Sequence, residues 1–294
     1  MANLISVQIN GQVDVSENLH KIESILERAC ENDNGDMRRK QASVEETLVV
    51  LPECFSIFGV AGSAMIKHAE TAGSGHIQQK LSEIARRFQC YLVAGTTPIV
   101  DAVKQSEKYY AASLVFSPLG KCIARYNKIH MFDVEVEDAT KSYKESRHTL
   151  AGKHLSLFKT PFGEVAQSVC YDLRFPAMFS AYSQHTQSGQ APDVIVVPSA
   201  FTYKTGSAHW HALLQARSIE NQCYVVAANQ VGTHADNRKT YGNSCIYSPW
   251  GECLSVIENE EGFAKATYNK ADLDRIRANM PVRSHQKERY TIEP

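Results

Sequence analysis

The residues best equipped for chemistry stand in Val169-Cys170-Tyr171-Asp172-Leu173-Arg174-Phe175-Pro176. An apolar, β-prone run over residues 165–169 delivers Cys170 to its end, and Pro176 followed by Ala177-Met178-Phe179 reads as the first turn of a helix. This puts a thiol at a strand-to-helix corner, at the open end of a sheet, with backbone N–H groups aimed toward it, as a nucleophile requires. The competing reading is an inert buried cysteine, a common fate of free thiols. A thiol of ordinary pKa ~8.5 facing a carboxylate of ~4.3 lacks a base by about 4 units, nearly 6 kcal/mol. Burial of the carboxylate and an ammonium beside the thiol would each narrow that gap. Glu53 offers the carboxylate, because the strand-like run 47–51 leads into Pro52-Glu53, at the carboxyl end where open α/β sheets place their ligands. Lys128 offers the ammonium, just past the run 121–126. Three strand ends thus supply base, cation and nucleophile. Spacing alone does not bring them together, and an isolated lysine or glutamate is ordinarily a solvated surface group.

Other candidates carry less. Cys54 adjoins Glu53, but the side chain after a strand-end residue points elsewhere, so it reads as structural. His209 and His211 are two apart on a helix, whereas paired metal ligands there need a separation of three or four. Gly73-Ser74-Gly75 lacks the third glycine of a dinucleotide fingerprint, and no Gly-x-Ser-x-Gly elbow is present.

Positioning the three residues requires strands that end side by side. Residues 4–9 read as a strand, and the helix opened by Ser16-Glu17 keeps Leu19, Ile22, Ile25, Leu26 and Ala29 on one face. Residues 77–88 repeat helical spacing through Ile77, Leu81, Ile84, Ala85 and Phe88, and 90–95 follow as a strand. The texture then changes: runs 110–116 and 121–126 flank Ser117-Pro118-Leu119-Gly120. The same turn chemistry recurs at Thr160-Pro161-Phe162-Gly163 and Ser248-Pro249-Trp250-Gly251. Ser or Thr first, Pro second and Gly fourth suits a type I turn, so three hairpins interrupt the β–α alternation. A strand over 193–197, a helix over 207–221 with Trp210, Leu213, Leu214 and Ile219 inward, and a strand over 223–228 restore it. Strands at 241–247, 253–257 and 263–268 and a helix over 271–279, stopped before Pro281, complete the pattern. Hairpins interleaved with β–α units imply mixed sheets. The expected fold class is α/β, a four-layer α-β-β-α sandwich with two mixed sheets face to face and helices outside. No linker divides residues 1–294, which read as one domain, and the charged, aperiodic stretch 30–46 reads as an exposed insertion.

Composition narrows the function further. Lys and Arg number 31 against 32 Asp and Glu, so a formal net charge of −1 leaves no footprint for nucleic acid or an anionic membrane, and neither is expected as a partner. Eight cysteines at irregular spacing, with no Cys-x-x-Cys, argue against a zinc site or a disulfide framework and fit a reducing compartment. With no basic apolar signal before Leu4 and no run long enough to span a bilayer, a cytoplasmic location is expected.

Leu51-Pro52-Glu53, Tyr126-Asn127-Lys128-Ile129-His130-Met131-Phe132-Asp133 and Cys170-Tyr171-Asp172-Leu173-Arg174-Phe175-Pro176 resemble, in order and context, the Glu, Lys and Cys blocks of the nitrilase superfamily of carbon–nitrogen hydrolases. The resemblance runs over nearly the whole chain. Pro198-Ser199-Ala200-Phe201, Thr205-Gly206, Ala208-His209-Trp210, Gln222 to Ala228 and Pro249-Trp250-Gly251 are similar to its Nit branch. It implies Glu53 as general base, Lys128 and the Tyr171 N–H as oxyanion donors, and Cys170 as nucleophile. The family's second glutamate falls on Glu145 in Tyr143-Lys144-Glu145-Ser146. Phe201 and Thr205 become pocket-wall candidates, and Arg174 either clamps a substrate carboxylate or pairs with Asp172 or a neighbouring acid. The resemblance further implies a thiol-dependent amidase working through a thioester, with no metal or organic cofactor and a small-molecule amide as its partner. The implied substrate is deaminated glutathione first and α-keto acid monoamides of the ω-amidase type second; a nitrile hydrolase or a non-catalytic partner protein remains an alternative. A homodimer is the implied assembly. Two features depart from the family pattern: Ala177 stands where a glutamate is usual, and the stretch 30–46 is longer than customary.

Overall fold

The computed structural model describes residues 2–30, 46–101, 107–138, 140–186, 189 and 191–285. Residues 31–45 of the expected insertion lie outside the described residues. The chain opens with β1 (Ala2–Gln8), α1 (Val15–Cys30), β2 (Glu46–Val50), α2 (Gly62–Met65), β3 (Glu70–Thr71), α3 (His76–Arg87), β4 (Tyr91–Val100), β5 (Tyr110–Phe116) and β6 (Cys122–Asn127). The middle contributes β7 (Asp133–Glu135), β8 (Ser142–Lys144), β9 (Leu157–Thr160), β10 (Gly163–Gln167), α4 (Pro176–Tyr182), β11 (Val194–Ser199) and α5 (Tyr203–Asn221). There follow β12 (Tyr224–Asn229), β13 (Val231–Thr233), β14 (Lys239–Tyr241), β15 (Ser244–Tyr247), β16 (Cys253–Ile257), β17 (Gly262–Tyr268), α6 (Lys270–Asn279) and α7 (Val282–His285).

Two large sheets result. One runs β17-β1-β2-β4-β5-β6 with β3 also on β4; the other runs β16-β15-β12-β11-β10-β9. In the first, β1, β2 and β4 are parallel and β5, β6 and β17 antiparallel; in the second, β10, β11 and β12 are parallel and the outer strands antiparallel. The period of two in side-chain direction sorts the core. Leu4, Leu48 and Val50 meet Val194, Val196 and Val226 between the sheets. Their neighbours Ile5, Val49 and Leu51 face outward onto Leu19, Ile22, Leu81 and Ile84 of α1 and α3. On the far side Ile195, Val197 and Val225 pack against Phe179, Trp210 and Leu214 of α4 and α5. Central strands covered on both faces need continuous apolar runs, which is why these segments lack polar alternation. The architecture is the expected α-β-β-α sandwich.

Three local expectations need correction. Helix α5 begins at Tyr203 rather than 207, because the Thr202 side chain accepts from Thr205 N and caps it there. Ile219 is exposed, and the inward residues of that turn are Arg217, Ser218 and Asn221. The single strand expected over 241–247 is two, broken where Gly242 and Asn243 take φ of 71° and 59°; β14 pairs instead with β13.

Candidate active site

Every strand that serves the site stops at the same end of the sandwich. Glu53 lies three residues past β2, Lys128 directly after β6, Cys170 three residues past β10, and Ala200 directly after β11. Two glycines let the first two approach. At Gly95, φ is +31° and a Cβ would stand 1.9 Å from Pro52 O; at Gly152 a Cβ would stand 2.0 Å from Asn127 O. Any side chain there would displace the backbone that carries Glu53 or Lys128. Gly152 N also donates to Lys128 O at 2.7 Å.

Cys170 is not the last residue of its strand. It opens a 3-10 turn, Cys170–Arg174, with φ of +48°, a left-handed conformation that costs a non-glycine residue ~1–3 kcal/mol. Asp172, fully buried, holds the corner. Its Oδ2 accepts from Val169 N at 2.9 Å and from the Tyr126 hydroxyl at 2.7 Å; its Oδ1 accepts from His130 N at 3.0 Å and lies 2.7 Å from His130 Nδ1. Arg217 of α5 braces the same turn, donating to Leu173 O at 3.2 and 2.9 Å. The strained thiol is thus tied to the Lys128 segment on one side and to α5 on the other.

Lys128 is 2% exposed, yet its Nζ donates to Glu53 Oε1 at 2.8 Å and to Glu145 Oε1 and Oε2 at 3.0 and 2.8 Å. All three ammonium protons are used. Glu53 Oε2 accepts from Ala200 N at 3.0 Å, and Gln230 Nε2 donates to Glu53 O at 2.9 Å, so Glu53 cannot turn away. Glu145 opens the 3-10 turn Glu145–Arg147 after β8 and also accepts from Phe132 N at 2.7 Å.

Burial works against the Lys128 charge, but Glu145, Glu53 and Cys170 together hold it well above its ordinary value, an ammonium under all working conditions. Burial raises Glu145 despite Lys128, with the Glu53 charge adding to the rise. Cys170 corrects the expectation of a depressed thiol. Burial pushes it well above its ordinary value and the adjacent Glu53 carboxylate pushes further, outweighing Lys128 and the Ala200 N–H. The site already holds Glu53 and Glu145 against the single Lys128 ammonium, so a thiolate formed by losing its proton to solvent would add negative charge to a buried group of charges. Transfer of that proton to Glu53 leaves the total unchanged.

These groups open into a cavity of 690 Å³. Its wall includes Glu53, Lys128, Glu145, Cys170, Tyr171, Arg174, Phe201 and Thr205, the residues to which the sequence assigned catalytic or substrate-binding roles. Arg174 does not pair with Asp172. Its guanidinium lies 5.3 Å from the Phe201 ring centre and 6.0 Å from that of Tyr171, with NH1 3.2 Å from His209 Nδ1, and no carboxylate within ion-pair distance among the described residues. Cys54 also lines the cavity, contrary to expectation, because a φ of 56° swings it round; burial and Glu53 push its thiol up to about 12. Ala177 is exposed. His211 meets Tyr247 and Asn243, apart from His209, and Glu70 accepts from Ile77 N and Gln78 N at the head of α3, filling the anion position behind Gly73-Ser74-Gly75.

Sequence reasoning missed Ala200, Gln230 and Phe132, whose backbone or amide groups fix the two glutamates. Asn229-Gln230, a polar pair closing the apolar run of β12, was the available signal.

Comparison with known proteins agrees with this geometry. Residues 4–278 match the family model described as carbon-nitrogen hydrolase. The chain is 36% identical over 286 residues to the deaminated glutathione amidase of Yersinia enterocolitica, covering 97% of this chain and 93% of that protein. It is 33% identical over 256 residues to Omega-amidase NIT2 of Homo sapiens, with 87% and 88% covered. Saccharomyces cerevisiae Nit3, a member of branch 10 of the nitrilase superfamily, superposes with a TM-score of 0.82 at 26% identity, over 98% of this chain and 97% of that one. A match over nearly the full length, on a sandwich whose strand ends gather a thiol, a lysine and two glutamates, places the chain in the carbon–nitrogen hydrolase family of the nitrilase superfamily.

Proposed function

We propose that the protein is a thiol-dependent amidase whose preferred substrate is deaminated glutathione. The observation that carries the reading is the bridging of Glu53 and Glu145 by Lys128 beside a thiol on a left-handed corner. Glu53 takes the Cys170 proton as sulfur attacks the amide carbonyl, so charge moves within the site rather than entering it. The oxyanion is received by the Tyr171 N–H, at the unpaired start of the 3-10 turn, and by Lys128. Lys128 has no spare proton at rest; its two bonds to Glu145 let one be redirected while the other keeps the ammonium in place. Glu53 then protonates the departing amine as the C–N bond breaks. Water, deprotonated by Glu53 and positioned with help from Glu145, hydrolyses the thioester to the acid. No step calls for a metal or organic cofactor.

The substrate reading rests on two supports. Arg174 lines the cavity with no carboxylate within ion-pair distance among the described residues and suits a substrate carboxylate, and the Yersinia enterocolitica relative bears the name of that amidase. The human ω-amidase relative favours a second reading, an α-keto acid monoamide served by the same residues. We further read the chain as one catalytic domain acting as a homodimer in the cytoplasm; among the described residues no helix is long and apolar enough to cross a membrane.

The test is turnover of deaminated glutathione, α-ketoglutaramate, a neutral short amide and a nitrile, following 2-oxo acid, amine or ammonia release. Deaminated glutathione should lead in kcat/KM, Cys170→Ala should fold and turn over nothing, and Cys54→Ser should stay near wild type. Wild-type turnover by Cys170→Ala would end the mechanism; a nitrile as best substrate would end the substrate reading.

A further inference from the structure

Beyond Glu53, Lys128 and Glu145, the cavity wall carries four cations, Lys144, Arg174, Arg238 and Lys239, against one acid, Asp236, in a chain whose formal charge is −1. Two of the four stand beside an acid. Arg238 is paired with Asp236, whereas Lys144 stands opposite Asp133 in the β7–β8 register without forming an ion pair and is exposed on β8. The other two are seated on aromatic faces with no carboxylate within ion-pair distance among the described residues. Arg174 lies over Phe201, and Lys239 Nζ lies 4.3 Å from the Tyr203 ring centre. Lys239 and Tyr203 are both exposed, so their contact biases the ammonium toward the ring only weakly and leaves its charge available.

The backbone under Lys239 is built rather than loose. Thr240, the next residue, bridges to Thr202, which caps α5, and its hydroxyl lies 2.7 Å from Nε2 of the buried His234. His234 Nδ1 lies 3.0 Å from Gly11 O, and Phe58 sits between the His234 ring, 4.1 Å away, and the Arg238 guanidinium, 4.5 Å away. The β13–β14 hairpin is therefore fixed against the cavity wall, with Lys239 at the start of β14.

We infer that Lys239 forms a second carboxylate subsite that receives the leaving-group half of the substrate, so that the enzyme selects amides bearing a carboxylate on each side of the scissile bond. The inference deepens the amidase reading and rests on it. Arg174 shares the 3-10 turn with Cys170 and so stays with the acyl half bound to sulfur; Lys239 stands on a separate hairpin and meets what departs.

Two substrates isolate the effect. α-Ketoglutaramate and deaminated glutathione share one acyl half and give the same thioester, but only the second has a carboxylate on its leaving group. In Lys239→Met, kcat/KM for deaminated glutathione should fall about 5- to 20-fold, that for α-ketoglutaramate less than twofold, and Lys239→Arg should restore the ratio. Equal losses on both substrates, or none, would overturn the subsite. A second readout does not need turnover: protection of Cys170 from iodoacetamide by N-glutarylglycine, with two carboxylates, against glutaramate, with one. Wild type should prefer N-glutarylglycine and Lys239→Met should lose that preference; equal protection in both proteins refutes the subsite whatever is hydrolysed. Wild-type preference for N-glutarylglycine without hydrolysis of either keto amide would instead leave the subsite standing and remove the substrate reading.

Discussion

Replacing Lys128 by methionine separates the two tasks this ammonium performs. The thioether chain would fill the side-chain volume but leave Glu53 and Glu145 facing each other without the cation that both contact at 2.8 Å. Removing one partner of a buried pair costs about 3–5 kcal/mol, a large share of a total near 5–15 kcal/mol. At ~2–4 °C per kcal/mol the melting temperature should fall by roughly 10 °C. The sign with pH follows. Without Lys128 the burial that already raises Glu145 is no longer opposed, so the folded variant binds more protons than its unfolded chain above the free carboxyl value of ~4.3. Its stability is then greatest at low pH and is lost as pH rises, more steeply than where Lys128 holds the rise of Glu145 in check. Calorimetry from about pH 5.5 to 8 should show the gap from wild type widening, and Lys128→Met/Glu145→Gln should recover much of it. Catalysis should not recover, since one oxyanion donor is worth ~10²–10³ in acylation rate. A Lys128→Met protein that melts with wild type at about pH 8, or that acylates within about threefold of it, would refute this reasoning.

Three further outcomes are expected. Glu53→Gln should lose at least ~10² in amide hydrolysis, while the midpoint of Cys170 alkylation by iodoacetamide moves to lower pH because the neighbouring charge that raises the thiol is gone; an unmoved midpoint would contradict the assignment. Arg174→Met should lose roughly tenfold to 150-fold in kcat/KM on carboxylate-bearing amides, the worth of one charge-assisted contact of ~1.5–3 kcal/mol, and an equal loss on a neutral short amide would make Arg174 a brace of the corner instead. Burial holds His234 below the ordinary imidazole range, so the unfolded chain takes up its proton first and stability should fall as pH drops below ~6.5; thermal melts of His234→Gln should show a shallower fall.

Glu53, Lys128 and Cys170 could be found in the sequence because each follows a strand-like run, and two stacked sheets bring such ends together. Glu145 could not be found that way. It follows the three-residue strand β8, part of a small hairpin with no apolar periodicity, and only the family resemblance marked it. Cys54 was misplaced because strand alternation does not survive a φ of 56°, and Lys239 was invisible because β13 and β14 are too short to leave a pattern. The thiol's elevated pKa depended on three distances and a burial, none of which composition encodes.

This division between legible and illegible parts has a physical origin. The reacting groups sit on strand ends and a corner locked by Asp172 and Arg217, where the strain at Cys170 is sustained by buried hydrogen bonds from three directions. Any sequence that keeps the sandwich can keep that corner. The outer wall is different: β7–β8 supplies Glu145 and Lys144, and β13–β14 supplies Arg238 and Lys239, both as two-stranded sheets outside the main pair. Apart from Glu145, which accepts from Lys128, the residues of these hairpins lie outside the inter-sheet core. Relatives at 36% and 33% identity bear the names of different amidases; if Arg174 and Lys239 hold the two substrate carboxylates, the choice of amide in this chain lies with charges on the cavity wall, while Cys170, Lys128 and Glu53 carry out the same reaction.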